Sequence, residues 1–487
     1  MKKIIASILV MGLLSMSMMV IANAGVVGPM RRESVGPSFS FADIYVDDDA
    51  PPWGDGSFEH PFQTITEGIY AAEDGDTVFV FNGNYDKYLK FSKSIRLIGE
   101  DRESTIIDGA NAGLEVTNVD GLTVSGFNYS KTGVFVLYHS TNCTFTNNIV
   151  ENRHGIAIVN SSHTRISENI IKPTLSDGIE LRYDSTNTSI SRNHIRCSYD
   201  HGISIIYDSN YTTVTDNTIT DNRWSGISIK TSNNIISGNI ITNNNHGGIR
   251  LVHGDNNIIS NNSITDNNGF GIDVAWSDNT NINNNTITNT NGVLGADGIH
   301  LFASDENKIT HNEILHVSSG NSTGIKLAVS DDNTLSKNAI SNIYGSYTAD
   351  GILIKVSKNN IICGNNISNV YWCGVYVFSG CIGNHFYYNN FINNGHSGQG
   401  GNAIDEGINL WYRPLTQEGN YWDDYDGEDS DGDGIGDSPY IILPYNLINN
   451  DQFPLMEACD QSNPISQQSL FFPFLPTPNR TNFLLIL

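Results

Sequence analysis

Side chains able to transfer protons recur at two fixed offsets from a repeated glycine that is followed by Ile or Val. Two residues after these glycines lie Phe135, Ala157, Glu180, Ser204, Ser228, Arg250, Asp273, His300, Lys326, Leu353 and Tyr376. Close before the glycines lie His154, Asp177, Asp200, His201, His246, Asp297 and Asp350. Carboxyl and imidazole groups act as general acids and bases. If one strand surface carries both sets, that surface is where chemistry would take place.

Five of these residues are candidate catalytic groups: Asp177, Glu180, Asp200, His201 and Arg250. Glycoside hydrolysis needs two carboxyls roughly 5 to 9.5 Å apart, which Asp177 or Glu180 would supply together with Asp200. Proton abstraction from a uronate would instead use His201 or His154 as the base, with Arg250 or Lys326 neutralising the uronate carboxylate. The alternative is a solvated polar face without catalysis, and this is the interpretation that we favour from the sequence.

A second set of side chains is suited to holding a sugar chain without reacting with it: Trp224, Arg250, Asp273, His300, Lys326 and Tyr376. An aromatic ring covers the apolar side of a pyranose, while charged and polar groups bind its hydroxyls. The same aromatic rings would otherwise pack at corners of the fold. Likewise, the charge of Asp273 between Arg250 and His300 would be partly neutralised by its neighbours. Both interpretations remain open at this point.

A short acidic segment has the spacing of a calcium-binding loop. Carboxylates stand at positions 1, 3, 5 and 9 of this segment, a glycine stands at position 6 and the carbonyl of position 7 is a further ligand, so the predicted metal set is Asp429, Asp431, Asp433, Ile435 and Asp437. Alternate oxygens of this kind converge on Ca²⁺ in EF-hand loops. Position 12 is Tyr440 where that loop has a bidentate Glu. We expect bound Ca²⁺, and the alternative is an acidic surface turn.

An internal repeat must position all of these residues. The Gly-Ile/Val pair recurs every 22 to 27 residues from Gly133 to Gly374, and an Asn-x-Ile or Asn-x-Phe element, first at Asn147, follows each glycine by 13 to 15 residues. Each repeat contains three short apolar strands, which cannot bury both faces alone and therefore stack coil on coil. The sequence thus predicts an all-β fold, a parallel β-helix of about fourteen coils. The recurrent Asn is expected to hydrogen-bond from coil to coil.

The first part of the chain differs from the repeats. Lys2 and Lys3 precede an apolar run from Ile4 to Ile21 and a small-residue cleavage site, which is typical of an export signal ending at residue 24. An uncleaved anchor helix is the alternative. Farther along, Pro61 to Glu73 is predicted to be a helix that caps the open end of the coil.

These signals divide the chain into a signal peptide, a capping segment with the first coils, the regular repeats, an acidic closing segment and a tail. The predicted bounds are 1–24, 43–112, 113–412, 413–457 and 458–487. Beyond the signal, no segment is long and apolar enough to span a bilayer, so we expect no transmembrane span in the mature chain.

Composition limits the possible partners. The 487 residues carry 26 basic and 52 acidic side chains, a formal charge of −26. This charge repels phosphates, and no basic stripe is present, so a nucleic-acid partner is excluded. A uronate polymer would also be repelled unless Ca²⁺ bridges it. With 39% hydrophobic and 10% aromatic residues, the chain has enough apolar surface to fold.

Several segments resemble right-handed parallel β-helix proteins of the NosD type, within the wider pectin-lyase-like group. They are the segment Ile44 to Asp49, the block Gly75 to Val80 with Gly83 and Tyr85, the Gly-Ile/Asn-x-Ile coils, and the closing blocks Gly419 to Tyr425 and Asp431 to Asp437. The resemblance covers about residues 43 to 457. It implies a right-handed β-helix, with sites on the outer face of one long sheet. It is weak for function, because one scaffold carries unrelated activities.

The resemblance and the residues together indicate an exported protein, secreted or at the cell surface. Its predicted role is to bind an extracellular polysaccharide or surface glycan, or to form part of a surface layer. The first alternative is an enzyme acting on polysaccharide: a lyase, a hydrolase or an epimerase. The second is an accessory role in copper-site assembly, which the NosD resemblance implies. Copper is the least expected, because the mature chain has only Met30 and Met456 and its histidines are scattered.

Overall fold

The computed structural model describes residues 44–460, except 86–87, 109–112, 131–132, 134, 152–153, 173, 294, 399 and 445–448. The predicted signal peptide and nearly all of the predicted tail lie outside the described residues. The described chain consists of two units, which divide between Thr280 and Asn281. Unit 1 ends at Thr280, and unit 2 begins at Asn281.

The fold is an all-β, right-handed parallel solenoid of about 13 turns. The predicted fold class is therefore confirmed, with about one turn fewer than expected. Among the described residues, no helix has the length and apolarity that a membrane crossing requires.

Unit 1 is built from short strands and one helix, α1 (Ile65–Ala71). Its strands, in chain order, are β1 (Ile44–Val46), β2 (Thr77–Val80), β3 (Gly83–Tyr85), β4 (Tyr88–Phe91), β5 (Arg96–Gly99), β6 (Thr105–Ile107), β7 (Gly113–Thr117), β8 (Thr123–Ser125), β9 (Asn128–Ser130), β10 (Phe135–Tyr138), β11 (Thr144–Thr146), β12 (Ile149–Glu151), β13 (Ile156–Val159), β14 (Arg165–Ser167), β15 (Ile170–Ile171), β16 (Ile179–Arg182), β17 (Ser189–Ser191), β18 (His194–Arg196), β19 (Ile203–Ile205), β20 (Thr213–Thr215), β21 (Thr218–Thr220), β22 (Ser225–Ile229), β23 (Ile235–Ser237), β24 (Ile240–Thr242), β25 (Gly247–Val252), β26 (Ile258–Ser260), β27 (Ser263–Thr265) and β28 (Phe270–Ala275).

Unit 2 contains longer strands. They are β29 (Asn281–Asn283), β30 (Thr286–Thr288), β31 (Asn291–Gly292), β32 (Ala296–Phe302), β33 (Lys308–Thr310), β34 (Glu313–Leu315), β35 (Ser318–Ala328), β36 (Thr334–Ser336), β37 (Ala339–Lys355), β38 (Ile361–Cys363), β39 (Asn366–Val370), β40 (Cys373–Val377), β41 (Ile382–Tyr387), β42 (Asn390–Ile392), β43 (Gly401–Asp405), β44 (Ile408–Leu410), β45 (Tyr421–Trp422), β46 (Tyr440–Ile441) and β47 (Asn450–Asp451).

Each regular coil contributes one strand to each of three parallel sheets. The strand after the repeat glycine joins sheet C, the next strand joins sheet A, and the third joins sheet B; β22, β23 and β24 are one such coil. Alternation along a strand sends every second side chain inward. In β22, Ile227 and Ile229 point into the core with no exposed surface. Their counterparts in neighbouring coils pair with them in register.

The first repeat departs from the expected spacing by one residue. Phe135, expected to point outward, pairs with Ile156 and is buried, with its ring 4.8 Å from that of Phe145. Val136 pairs with Ala157 and takes the outward place. The expected outward position of Phe135 is wrong, because this residue pairs with the inward-pointing Ile156 and its ring lies in the core.

An asparagine ladder runs through the interior of unit 1: Asn148, Asn169, Asn193, Asn217, Asn239 and Asn262. Each member up to Asn239 donates from its backbone N and from its Nδ2 to the Oδ1 of the next, at 2.9 to 3.2 Å. The coil-to-coil role expected of the recurrent Asn is confirmed. The first member is Asn148 and not Asn147, because Asn147 turns the corner before it with a φ of 55°.

The helix is shorter than the sequence indicates. Thr64 caps it: its hydroxyl accepts from the N–H of Glu67, and the Glu67 carboxylate accepts from the N–H of Thr64. Phe62 lies outside it, since its backbone pairs with Tyr45 and Asp47 of the first coil. The expected start at Pro61 is therefore wrong, and the helix buries Ile65 and Ile69 on one face.

Candidate functional site

The outer row of sheet C in unit 1 is the first part of the site. Glu180 on β16 pairs with Ser204 on β19, which pairs with Ser228 on β22; Arg250 and Asp273 follow on β25 and β28. Adjacent coils are roughly 4.8 Å apart. The row that the repeat spacing predicts therefore exists from Glu180 to Asp273.

Asp177 and His201 form a buried contact at one edge of this row. The N–H of His201 donates to Asp177 Oδ1 at 2.8 Å, and the N–H of Ser225 donates to His201 Nδ1 at 3.2 Å. Burial, together with the charges of Glu180 and Asp200, raises the pKa of Asp177 to about 7. Burial lowers the pKa of His201 to about 4. At neutral pH the imidazole is therefore uncharged, and the carboxyl exchanges its proton readily.

The charged members of the row are paired with one another. Glu180, largely buried, forms an ion pair with Arg182. Arg250 Nε lies 3.4 Å from Asp273 Oδ2. The structure thus brings Asp177, Glu180 and His201 together and places Arg250 two coils beyond His201, in contact with Asp273. The mutual neutralisation considered from the sequence is present for Arg250 and Asp273.

Aromatic rings border the row on the loop that joins sheet B to sheet C. The indole of Trp224, 40% exposed, stacks on His246 with a centroid distance of 4.8 Å. The guanidinium of Arg223 lies 4.1 Å from the ring centroid of Tyr199, which is half exposed. Sequence reasoning missed Tyr199 and Arg223. Tyr199 directly precedes Asp200, and Arg223 directly precedes Trp224 in the next coil. A closer alignment of the repeats would have shown that the two residues occupy equivalent positions.

The corresponding row of unit 2 has a different character. His300, Lys326, Leu353 and Tyr376 pair in register. Lys326 Nζ lies 3.3 Å from Asp297 Oδ2, and the Tyr376 hydroxyl donates to Glu406 at 3.0 Å. The ring of Tyr376 packs edge-on against Trp372 at 5.1 Å. Lys326 and Tyr376, which were predicted to bind a ligand, therefore already have partners within the protein.

Asp350, a carboxyl of the same unit, lies buried beside this row. It is 2% exposed, and burial raises its pKa to about 8. Its Oδ1 has no hydrogen-bond partner among the described residues. At neutral pH the group is therefore largely protonated, which makes its burial less costly.

The acidic loop brings three of its predicted ligands together. Carboxylate oxygens of Asp429, Asp431 and Asp433 all lie within 4.8 Å of one another. Asp429 also accepts hydrogen bonds from the N–H groups of Gly432 and Gly434. Asp437 instead accepts from the N–H of Ser430 at 2.9 Å, and this bonding lowers the pKa of Asp437. A set of hard oxygen donors suits Ca²⁺.

The predicted carbonyl ligand Ile435 lies at the end of this loop. Its N–H donates to Asp433 Oδ1 at 2.8 Å, and its backbone pairs with Leu455 of the closing segment. The loop is thereby tied to the body of unit 2. A second acidic group, Asp47, Asp48 and Asp49, lies in unit 1.

The residues do not fit copper. Within the described part of the chain, the clusters of three or more His, Cys, Asp or Glu side chains contain carboxylates alone. Copper in proteins is held by imidazole, thiolate or thioether groups. The six cysteines are unpaired, and Cys143, Cys363, Cys373 and Cys381 are buried singly in different places of the coil.

Comparison with known families agrees with this architecture. The family described as "Right handed beta helix region" matches residues 99–230 and 183–315. The family described as "Periplasmic copper-binding protein (NosD)" matches residues 316–427. The chain is therefore a right-handed parallel β-helix repeat protein with a NosD-type segment. A search of curated proteins finds no match to it.

Solved structures similar to the chain are distant in sequence. The A-module of the mannuronan C-5 epimerase AlgE4 from Azotobacter vinelandii is 14% identical, with 71% of this chain and 90% of that chain covered and a TM-score of 0.39. The Dettilon tailspike protein is 14% identical, with coverages of 71% and 64% and a TM-score of 0.42. XylC in its complex with xylose is 13% identical, with coverages of 80% and 88% and a TM-score of 0.38.

Proposed function

We propose that this protein is exported and binds an extracellular polysaccharide along the outer row of sheet C in unit 1. The observation that carries the proposal is the Trp224 indole, which is stacked on His246 yet 40% exposed, beside a row of polar and charged groups. An exposed ring held rigid by stacking binds the apolar face of a sugar at little entropic cost. Within the row, the side chain of Arg250 is 39% exposed and would bind the sugar hydroxyls, whereas Glu180, Ser204, Ser228 and Asp273 are only 3 to 8% exposed.

The export part of the proposal is supported by the N-terminal sequence and by the match to a family described as periplasmic. Mass spectrometry of the protein recovered outside the cytoplasm would test it. We expect an N-terminus near Gly25. Recovery of the protein only in the cytoplasm, with Met1 retained, would contradict export.

Binding is tested by affinity electrophoresis of the purified protein in gels that contain neutral and acidic polysaccharides. The parent should be retarded by at least one of them, and Trp224→Ala should abolish that retardation. Trp276→Ala is a matched control, because Trp276 is also half exposed and also stacks on a histidine, His253, at 5.0 Å, but follows sheet C at another corner. Equal loss in both variants would show that Trp224 has no special role.

The Asp177 and His201 contact favours a second candidate function, an enzyme that moves a proton on a uronate sugar. Asp177, with a pKa of about 7, accepts a hydrogen bond from the backbone N–H of His201, whose own imidazole is neutral; such a carboxyl and imidazole are suited to general acid and base work at neutral pH. In a lyase or epimerase, one group would take the proton from C5 of the sugar and the other would deliver one. The nearby cation would be Arg182 or Arg250.

Catalysis is tested by incubating the protein with polyuronates and measuring unsaturated chain ends and the ratio of C5 epimers. Activity that disappears in Asp177→Asn and in His201→Ala, while polysaccharide binding persists, would support the enzyme. If the parent binds polyuronate without changing it, the enzyme function is contradicted and the binding function is retained.

We further propose that Asp429, Asp431 and Asp433 hold a structural Ca²⁺, with the carbonyl of Ile435 close to the same loop. Three carboxylates within 4.8 Å of one another repel in the absence of a cation. A cation at their centre would remove this repulsion and brace the closing segment of unit 2.

A further inference from the structure

Two adjoining clefts open in unit 2 between sheets B and C. One, of about 340 Å³, is lined by Asn289, Asn291, His316, Ser318 and Tyr344. The other, of about 320 Å³, is lined by Ser318, Ser319, Tyr344, Gly345, Ser346 and Tyr371. Because Ser318 and Tyr344 line both, the clefts form one continuous groove, here called the tyrosine groove. Each part has the volume of a small-ligand site.

The coils of unit 2 place the groove residues one above another. Asn291 on β31 pairs with Ser318 on β35, and Ser318 pairs with Tyr344 on β37. The N–H of Tyr371 donates to the carbonyl of Ile343 at 3.0 Å, which sets Tyr371 on the coil after Tyr344. With coils roughly 4.8 Å apart, the groove crosses four coils along the direction in which they stack.

The lining is aromatic and polar but not ionic. Tyr344 is 46% exposed and Tyr371 is 42% exposed. Among the described residues that line the groove there is no Asp, Glu, Lys or Arg. This differs from the chain as a whole, which has 52 acidic and 26 basic side chains. The donors and acceptors present are hydroxyls, amides, an imidazole and the backbone.

We propose that the tyrosine groove binds a neutral oligosaccharide that lies along the stacked coils. The two exposed phenol rings offer apolar faces for sugar rings. The flanking Asn and Ser side chains can donate hydrogen bonds to the sugar hydroxyls and accept hydrogen bonds from them. An acidic sugar would bring a carboxylate into a groove that holds no fixed cation, in a chain of net charge −26. The groove therefore selects against uronates.

The inference extends the proposed function to a second site and names its ligand class, but it rests on different residues. The outer row of unit 1 contains the paired cations and carboxyls and the buried Asp177. The tyrosine groove lacks such groups and contains nothing suited to moving a proton from carbon. The groove is thus a binding site without chemistry of its own.

The test is isothermal titration of the full protein with neutral hexasaccharides of glucose and of mannose, with hexauronates as the acidic counterpart. The parent should bind at least one neutral hexasaccharide and bind hexauronates at least tenfold more weakly at this site. Tyr344→Ala and Tyr371→Ala should each weaken the neutral ligand about tenfold, since each removes one stacking face. Tyr347→Ala is the matched control, because Tyr347 is 80% exposed on the same strand but does not line the groove.

The outcomes separate this inference from the proposed function. Loss of neutral binding in Tyr344→Ala but not in Trp224→Ala supports the groove. Loss in Trp224→Ala but not in Tyr344→Ala or Tyr371→Ala overturns the groove and leaves the unit 1 site standing. Equal loss in the Tyr347→Ala control also contradicts the groove, as does binding of a proline-rich peptide in place of every saccharide. Unchanged melting temperatures show that each variant is folded.

Discussion

The interior and the outer row of unit 1 are built from the same coils but obey different rules. Inside, the asparagine ladder places the same residue in coil after coil, and each amide bonds to the next. Outside, Glu180, Ser204, Ser228, Arg250 and Asp273 occupy equivalent places but comprise two carboxylates, two hydroxyls and a guanidinium. The ladder amides find their partners in the coils on either side, so every coil needs the same residue there. Four of the five outer residues are also only 3 to 8% exposed, and the side chain of Arg250 is 39% exposed, but their residue types differ from coil to coil. Folding therefore holds the interior position to one residue type, whereas it does not do so in the outer row.

The sharpest test of this comparison is Asn217→Ala in the ladder. Asn217 accepts from Asn193 and donates from Nδ2 to the carbonyls of Ile190 and Thr215 and to Asn239. Its removal leaves several buried groups without partners, each costing about 1 to 3 kcal/mol. We expect the free energy of unfolding, measured in urea, to fall by about 3 kcal/mol or more.

A matched exposed residue serves as the control for that loss. Asn245 lies on the surface and accepts one bond from Asn268. Asn245→Ala should change the free energy of unfolding by no more than about 0.5 kcal/mol. Similar losses in Asn217→Ala and Asn245→Ala would show that the ladder does not hold the coils together.

The acidic loop at Asp429, Asp431 and Asp433 is a surface feature that is expected to stabilise the fold, because Ca²⁺ bound there would favour the folded chain. A cation that binds only the folded chain adds about 2.7 kcal/mol at a hundredfold excess over its dissociation constant. Chelator should therefore lower the melting temperature of the parent, and Asp431→Ala or Asp433→Ala should abolish that sensitivity. Glu313→Ala, an exposed carboxylate on β34 of the same unit, should retain it. A parent that melts identically with and without chelator would refute the metal.

Asp177 makes the free energy of unfolding depend on pH, because this carboxyl of the candidate site is buried. Its pKa is about 7 in the folded chain and about 3.9 when unfolded. The folded state therefore binds the proton more tightly, so stability is fully present below about pH 4 and is lost as the pH rises to about 7. Asp177→Asn does not titrate and should exceed the parent by roughly 1 to 3 kcal/mol at pH 8.

The measurement is a series of urea unfolding curves between pH 4 and pH 8. Near pH 4 the Asp177→Asn variant and the parent should agree, because the parent carboxyl is then protonated in the folded state and is losing its charge in the unfolded state. A constant difference across the range would mean that the Asp177 carboxyl is not perturbed by burial.

The sequence predicted the fold because the fold is a repeat. The spacing of the glycines and of the asparagines fixes the number of strands per coil, and both markers report interior positions that every coil must satisfy. The predicted positions of Asn147 and Phe135 were wrong, because the first repeat is offset by one residue at both places. At Asn147 the cause is Val150, which stands where later coils have Ile or Phe, so that Asn-x-Ile matches at the corner residue Asn147 and not at Asn148.

The candidate sites were predicted only in part. The row from Glu180 to Asp273 follows from the repeat, because period-two alternation decides which side chains point outward. The Asp177 contact with His201 and the tyrosine groove do not follow from it. They depend on the segments that connect sheet B to sheet C, whose length and structure vary from coil to coil, and on the burial of individual side chains, which a pattern of residue types does not show.

Binding of polysaccharide along the outer row of unit 1 is tested by hydroxyl-radical footprinting of the full protein with and without a bound polysaccharide. Oxidation of Trp224, Tyr199 and His246 is read by mass spectrometry, with Trp276 of the same unit as the internal reference. We expect the ligand to slow oxidation of Trp224, Tyr199 and His246 several-fold and to leave oxidation of Trp276 unchanged. Protection of Trp276 alone, or of none of the four residues, with the polysaccharide bound would contradict binding along this row.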